Sequence, residues 1–336
     1  MTTNKFFSVK HCAAYSIMVL LLISLSSWGI WGHEHINRSA IFALPAEMRT
    51  FYYNHIDFIT IESTGPDMKR SVYNDKSESP KHYIDIEGFD RPLDSLPRTP
   101  ADKKIYPDSI YQKYGSLPWQ IQDMMAKLTK AFKENHKSEI LLLSADLAHY
   151  LGDANMPLHT SLNYDGKLSN QPGVHSFWES MLPEKFGNTY NLNTREARYI
   201  NDVTATTWGI IKNSHQLVDT LLATDKKVRL ASGDDKLFKK DEQGNIIKSK
   251  YNSPIQTDEY AKAFHTALNG MVEKQMKNSI TDVADFWYTA WINAGKPDLS
   301  KLDDPALSEQ NKTLLNKDYE AWKKGKLLNM KTDSEY

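Results

Sequence analysis

The stretch Ser144 to Glu179, SADLAHYLGDANMPLHTSLNYDGKLSNQPGVHSFWE, carries five side chains able to bind a divalent metal: His149, Asp153, His159, His175 and Glu179. His149 and Asp153 are four apart, as are His175 and Glu179, and on a helix that spacing stacks two side chains on one face about one turn apart. Each pair is a two-ligand claw. Pro157 predicts a turn between the first claw and His159 that brings the third imidazole back toward the first two. Imidazoles mixed with carboxylates, without thiolates, suit catalytic zinc better than a structural zinc staple.

Working outward, Ser138 to Asp153 reads as a nearly all-apolar helix through Ile140, Leu141, Leu143, Ala145, Leu147 and Ala148. It is predicted to run through the middle of the fold and to hold His149 and Asp153 rigidly. Pro118 opens the helix before it, whose buried face is Ile121, Met124, Met125, Leu128 and Phe132, the methionines serving as core filler. Upstream, His35 to Phe58 reads as helix, corner and helix, with Pro45 in the first turn of the second. A polar loop follows and closes in a strand-like HYIDI at residues 82–86. Asp67 on its Gly-Pro turn is by itself an ordinary turn former, and His82 with Asp85 an ordinary satisfied pair.

Downstream, Asn201 to Thr224 has helical spacing, Lys226 to Asp258 is a charged loop or small hairpin, and Glu259 to Ala294 is the longest helical stretch. Past Gly295 the pattern fades into a polar tail with a short helix around Leu314 to Lys324. Long alternating segments, internal repeats and Gly-rich phosphate loops are absent from the sequence. The expectation is an all-α protein with one multi-helix domain at residues 28–296 and a tail at 297–336.

Of 336 residues, 40% are hydrophobic and 25% charged, an ordinary globular composition with room for a large core. Residues 1–27 stand apart: Lys5, Lys10 and His11 precede an apolar run from Ala13 to Ile23 and a serine-rich exit, the pattern of a secretory signal peptide. The run is shorter than the roughly 20 residues a membrane span needs, so no anchor is expected after processing. Export to the periplasm or outside the cell is the expectation. Removing the segment takes two lysines and no acids from 41 basic and 42 acidic residues, leaving a formal charge of −3. That balance gives no footprint for strong nonspecific nucleic-acid binding, although a metal cluster supplies local positive charge. The single cysteine, Cys12, lies in the signal, so the processed chain forms no internal disulfide.

Cleavage after Ser27 would begin the processed protein at Trp28, five residues before His33. An α-amine and its own carbonyl chelate a metal in a five-membered ring, so processing itself could create a ligand. His35 competes with His33, and cleavage before Trp31 competes with cleavage before Trp28; chemistry alone leaves both open.

Trp28, His33, Asp67, His82, the H-x3-D-x3-P-L-H run from His149 to His159, and HSFWE from His175 to Glu179 together resemble the superfamily of zinc-dependent bacterial phospholipases C and single-strand-specific zinc nucleases. The resemblance spans residues 28–179 and implies an all-helical fold with three zinc ions, one held by the amine and carbonyl of an N-terminal tryptophan. It selects Trp28 as the first residue and His33 over His35. It implies one zinc on Asp67, His82, His149 and Asp153, a neighbour on Trp28 and His33 with Asp153 bridging, and a third on His159, His175 and Glu179. Glu179 is phospholipase-like, since the nucleases usually have Asp there. The fifteen-residue interval from Asp67 to His82 and the short N-terminal spacing are nuclease-like, and the cysteines that the eukaryotic nucleases pair are missing.

A phosphodiester is anionic and repels hydroxide, so its hydrolysis needs cations on its oxygens and an acidified water. The resemblance therefore implies a secreted zinc-dependent phosphodiesterase, phospholipase C-like on a phospholipid head group. A single-strand-specific endonuclease or 3′-nucleotidase is the alternative, and a non-catalytic zinc-binding envelope protein is the alternative from another class. Asp67 is the candidate to orient or deprotonate water, or else a ligand alone. Tyr83 occupies the place of an aromatic that stacks a base in the nucleases, or else faces the core. His55, His136, His215 and His265 lie outside the pattern, and Phe177 and Trp178 read as packing residues.

Overall fold

The structure, a computed structural model, describes residues 28–249 and 254–326. The expected signal segment and the last ten residues of the tail lie outside the described residues. Helices α1 (Gly29–Ala43), α2 (Ala46–Asn54), α3 (Ile56–Ile61) and α4 (Gly65–Ser71) follow one another closely. After a stretch of short 3-10 turns come α5 (Asp108–Tyr114), α6 (Leu117–Lys133) and α7 (Lys137–Ala154). A helical run at 174–186 precedes α8 (Val203–His215), α9 (Val218–Ser232), α10 (Asp258–Ala267), α11 (Met271–Asn293) and α12 (Pro305–Lys323). Among the described residues there is no strand, only isolated bridges, so the fold is all-α. None of their helices is long and apolar enough to cross a membrane.

Helix α7 is the axis. Every residue from Ser144 to Ala154 is buried, because α1, α6 and α11 all pack on it. Trp287 of α11 donates its indole N–H to the Ser144 carbonyl at 3.0 Å and stacks on Tyr52 at 4.8 Å, whose hydroxyl meets the Ser144 Oγ at 2.8 Å. Such contacts fix rotation as well as separation, which apolar burial alone does not.

Two glycines set the approach of α1. Gly29 has φ +51, and a Cβ there would meet Ser180 Oγ at 2.8 Å. Gly152 of α7 faces α1 so closely that a Cβ would come within 3.1 Å of His33 Cε1 and 3.4 Å of Trp28 Cδ1. Its carbonyl accepts the Trp28 indole N–H at 2.6 Å.

Several expectations change in detail. The strand-like residues 82–86 make one antiparallel bridge, Ile84 to Gly115, and otherwise turn. Pro45 caps α2 in extended conformation and lies just outside the helix. The stretch read as one helix over 201–224 is two, and so is 259–294, where Asn269 (φ 48) and Gly270 (φ 78) turn left-handed and break the ladder. The charged excursion begins only after α9 ends at Ser232, and it carries bridges from Phe238 to Gln256 and from Lys240 to Ile246. The tail helix starts at Pro305, nine residues before Leu314, with Asp304 capping it. It packs back on α1 and α2: Trp322 is buried and stacks on Phe42 at 6.1 Å, and Arg49 lies over the Tyr319 ring at 3.7 Å.

Substituting Gly152 with Ala tests the close contact of α1 with α7. Better helix propensity contributes about 1 kcal/mol, and the crowding of His33 costs about 1–3 kcal/mol. Gly152→Ala is expected to lower the melting temperature by a few degrees, and a higher melting temperature would show that the two helices separate freely.

Candidate metal centre

Three groups of metal-capable side chains converge at the C-terminal end of α7. They are His33, Asp67 and His149; His82, His149 and Asp153; and His159, His175 and Glu179, with the ligand atoms of each group within 4.8 Å of one another. His149 and Asp153 lie on one face of α7, as their spacing predicts. The chain ends α7 at Ala154, turns through the 3-10 segment Pro157–Thr160 and returns His159 to the cluster. His175 and Glu179 sit across a junction, since Phe177–Met181 is a π-turn inside the 174–186 helix. Pro183 has no N–H for the carbonyl of Glu179 and its ring crowds that carbonyl, so the ladder widens there.

The remaining groups come from upstream. Asp67 lies on α4, which the Lys69 to Asp146 ion pair at 2.7 Å pins to α7. His82 follows a short turn held to the His159 turn on both sides: Ile84 N–H donates to the His159 carbonyl at 2.8 Å, and His159 Nδ1 donates to the His82 carbonyl at 2.7 Å. His33 comes from α1 and stacks on His149 at 4.0 Å.

Asp153 faces both ways. Its Oδ2 is 3.0 Å from His82 Nδ1 and 3.4 Å from His149 Nε2, while its Oδ1 is 3.6 Å from His33 Nε2. That is the placement a bridging carboxylate requires.

The rings are held from behind. His149 Nδ1 donates to the Ser63 carbonyl at 2.8 Å, His159 Nδ1 to that of His82, and His175 Nδ1 to that of Tyr164 at 3.1 Å. A ring that donates through Nδ1 presents a bare Nε2 lone pair to the cluster. The Nε2 atoms of His159 and His175 are only 3.3 Å apart, and both oxygens of the fully buried Glu179 accept no hydrogen bond. Asp153 Oδ1 is likewise buried without a donor. Imidazole nitrogens and carboxylate oxygens facing one another inside a protein need protons or a cation between them. The donor set therefore fits metal ions.

Protonation follows the same electrostatics. Burial works to lower the His149 pKa, but the Asp153 and Asp67 carboxylates outweigh it and push the ring up to about 9. Burial also works against the charged form of His175, and Glu179 outweighs it, so that ring too is raised. For His33, burial together with neighbouring His149 wins and the pKa falls to about 4. Burial would raise Asp153, yet the facing His149 and His159 rings hold it well below the ordinary carboxylate range. Asp67 is lowered against burial mainly by Arg70.

A pocket of about 250 Å³ opens above the cluster, with His82, His159 and His175 at its floor. Tyr83, Asp85, Tyr164, Arg70 and Lys113 form its wall. Tyr83 thus faces the pocket and not the core. Asp85 does not pair with His82, whose carboxylate neighbours are Asp153, Asp67 and Glu78; burial and then Glu87 push Asp85 up to about 7. Arg70 donates to Asp67 Oδ1 at 2.7 Å and stands three residues after it on α4. That i,i+3 spacing was the available signal for Arg70. Lys113 and Tyr164 reach the pocket from α5 and from the loop before Gly166, and no local pattern marks them.

His35 turns away, its Nδ1 donating to the Trp31 carbonyl at 2.7 Å and its ring stacking on that indole. Trp28 is fully buried beside Trp178, its carbonyl taking the Gly32 N–H at 3.2 Å. His55 pairs with Asp303, His215 with Thr160 and His265 with Tyr190, all outside the cluster, and His136 is exposed. Phe177 packs on Tyr260 and Phe264.

No protein-family model and no curated protein matches this chain.

With His149 raised to about 9, its ring is charged at neutral pH in the metal-free protein and must lose that proton to ligate. Zn²⁺ titrated into chelator-treated protein at pH 7.5 should release about one proton or more per chain. Calorimetry in buffers of different ionisation heat reads this directly, and identical heats in all buffers would contradict the charged His149.

Proposed function

We propose that this protein is an exported zinc-dependent hydrolase of phosphate esters, acting on a phosphodiester in the manner of a phospholipase C. The observation that carries this reading is that His82, His159 and His175, from two of the three His and carboxylate groups, line one pocket together with Arg70 and Lys113. Nitrogen and oxygen donors without sulfur favour zinc in a catalytic setting. Bound there, three divalent ions would outweigh the three carboxylates and supply Lewis acidity toward phosphoryl oxygens together with an ionisable water. Asp67, His82, His149 and Asp153 would hold one ion; His33 and the amine and carbonyl of Trp28 a second, sharing Asp153; His159, His175 and Glu179 the third. The Trp28 role rests on removal of residues 1–27 by a signal peptidase.

The chain's own groups then divide the work. Arg70 presents a fixed guanidinium fork to non-bridging phosphate oxygens, and Lys113 adds a point charge at the mouth. Asp67 has a carboxyl pKa below the ordinary range, so it is suited to ligate and to orient water and poorly suited to keep the proton. Arg70 in turn holds Asp67 in place. Tyr83 and Tyr164 offer ring faces and Asp85 a carboxyl, which suit the cationic head group of a phosphatidylcholine. A second reading, single-stranded nucleic acid, is favoured by the place of Tyr83 on the pocket wall, where a base could stack.

The test is a substrate panel of phosphatidylcholine, single-stranded DNA, RNA and a 3′-nucleotide, each with and without chelator. Chelator-sensitive hydrolysis is expected, fastest on phosphatidylcholine; turnover of nucleic acid alone would select the second reading, and turnover of none would reject the enzyme. Arg70→Ala should lower kcat by about 10²–10³-fold, with the zinc content of the His159, His175 and Glu179 site intact. Asp153→Asn should reduce zinc content at two sites together, and loss of a single ion would argue against bridging.

A further inference from the structure

His82 is the exception among the cluster imidazoles. His149, His159 and His175 anchor Nδ1 on backbone carbonyls and present Nε2, whereas His82 presents Nδ1 to Asp153 at 3.0 Å and to Asp67 at 3.7 Å. Its far nitrogen, Nε2, is buried and has no hydrogen bond. What stands behind it is the carboxylate of Glu78, with Oε1 at 3.6 Å from that nitrogen. Glu78 is itself only 2% exposed. The Lys81 ammonium holds its Oε2 at 2.7 Å, and the Tyr150 hydroxyl donates to its Oε1. Tyr150 follows His149 on α7, so the clamp ties the carboxylate to the same helix that carries two of the ligands.

We infer that Glu78 is a positioning residue for the metal pair, acting through His82. A neutral imidazole has one proton for two nitrogens, and it must reside on Nε2 if Nδ1 is to ligate. A carboxylate 3.6 Å behind Nε2 favours the proton there and disfavours it on Nδ1. Backbone carbonyls do the same for the His149, His159 and His175 rings as dipoles; here a full negative charge does it, and it also makes the ring a stronger donor to a cation. The Lys81 ammonium on one oxygen and the Tyr150 hydroxyl on the other compensate the buried carboxylate. Lys81 and Tyr150 are thus the means by which a buried negative charge is kept beside a ring that needs it.

The inference rests on the zinc reading above, and the experiment separates the two. Zinc content and chelator-competition affinities would be measured on the exported protein and on Glu78→Gln, Glu78→Ala and Tyr150→Phe, with circular dichroism and melting temperature as the folding control. Glu78→Gln keeps volume and an acceptor but drops the charge, and should weaken the site containing His82 by about 10-fold. Glu78→Ala should weaken it by up to about 100-fold, and Tyr150→Phe by less than either. The site of His159, His175 and Glu179 does not touch Glu78 and should bind as in the parent protein. Should Glu78→Ala fail to fold, Glu78→Gln carries the test. Folded Glu78→Gln with parental affinity at every site, or equal weakening of all three, would overturn the inference. A parent protein that takes up no zinc would overturn the metal reading itself, and this inference with it.

Discussion

The architecture turns on an electrostatic conflict at the C-terminal end of α7. Imidazole nitrogens face one another at 3.0–3.3 Å, and carboxylate oxygens lie among them, all inside a packed interior. A fold that placed these groups together without a cation would carry a penalty of several kcal/mol for each buried charge. The surrounding structure nevertheless fixes them with care, through carbonyls behind His149, His159 and His175, a carboxylate behind His82, and the Lys69 to Asp146 pair between α4 and α7. Such investment in rigidity makes sense when the ligand arrangement must exist before the ion arrives.

Packing and chemistry are coupled through the same residues. Gly152 stands between His149 and Asp153, admits α1 and accepts the Trp28 indole N–H, so the residue that lets the helices touch also sets how far His33 reaches. The π-turn at Phe177–Met181 does similar double duty. It widens the helix ahead of Pro183 and lodges Glu179 in the cluster while Phe177 and Trp178 fill the core on either side.

What could be read in the chain before folding was whatever depends on local spacing. The i,i+4 pairs, the turn at Pro157 and the central apolar helix all follow from helical periodicity, which is a property of neighbouring residues. The wall of the pocket was mostly hidden. Lys113 and Tyr164 meet there from segments some fifty residues apart, and nothing in either segment signals the other. Arg70 was visible in principle, three residues from Asp67, but a charged residue in a polar loop looks solvated until the loop becomes α4. The break at Asn269 and Gly270 was missed because apolar spacing continues across it. The tail helix looked polar because only Trp322, buried, and Tyr319, under the Arg49 guanidinium, supply its aromatic contacts. The family resemblance drew on order and spacing over residues 28–179 and spoke only to those positions.

The grouped side chains come from widely separated places, between positions 33 and 179. An ion shared by His33, Asp67 and His149 would therefore close a chain loop of more than a hundred residues, the kind of cross-link that otherwise falls to cystine. In a chain whose only cysteine is Cys12, that topology would hand tertiary stability over to mass action: each tenfold rise in free ion above the dissociation constant adds about 1.4 kcal/mol per site. The fold's endurance would then be set by the metal supply of its surroundings, and scarcity would unmake the molecule as well as silence it.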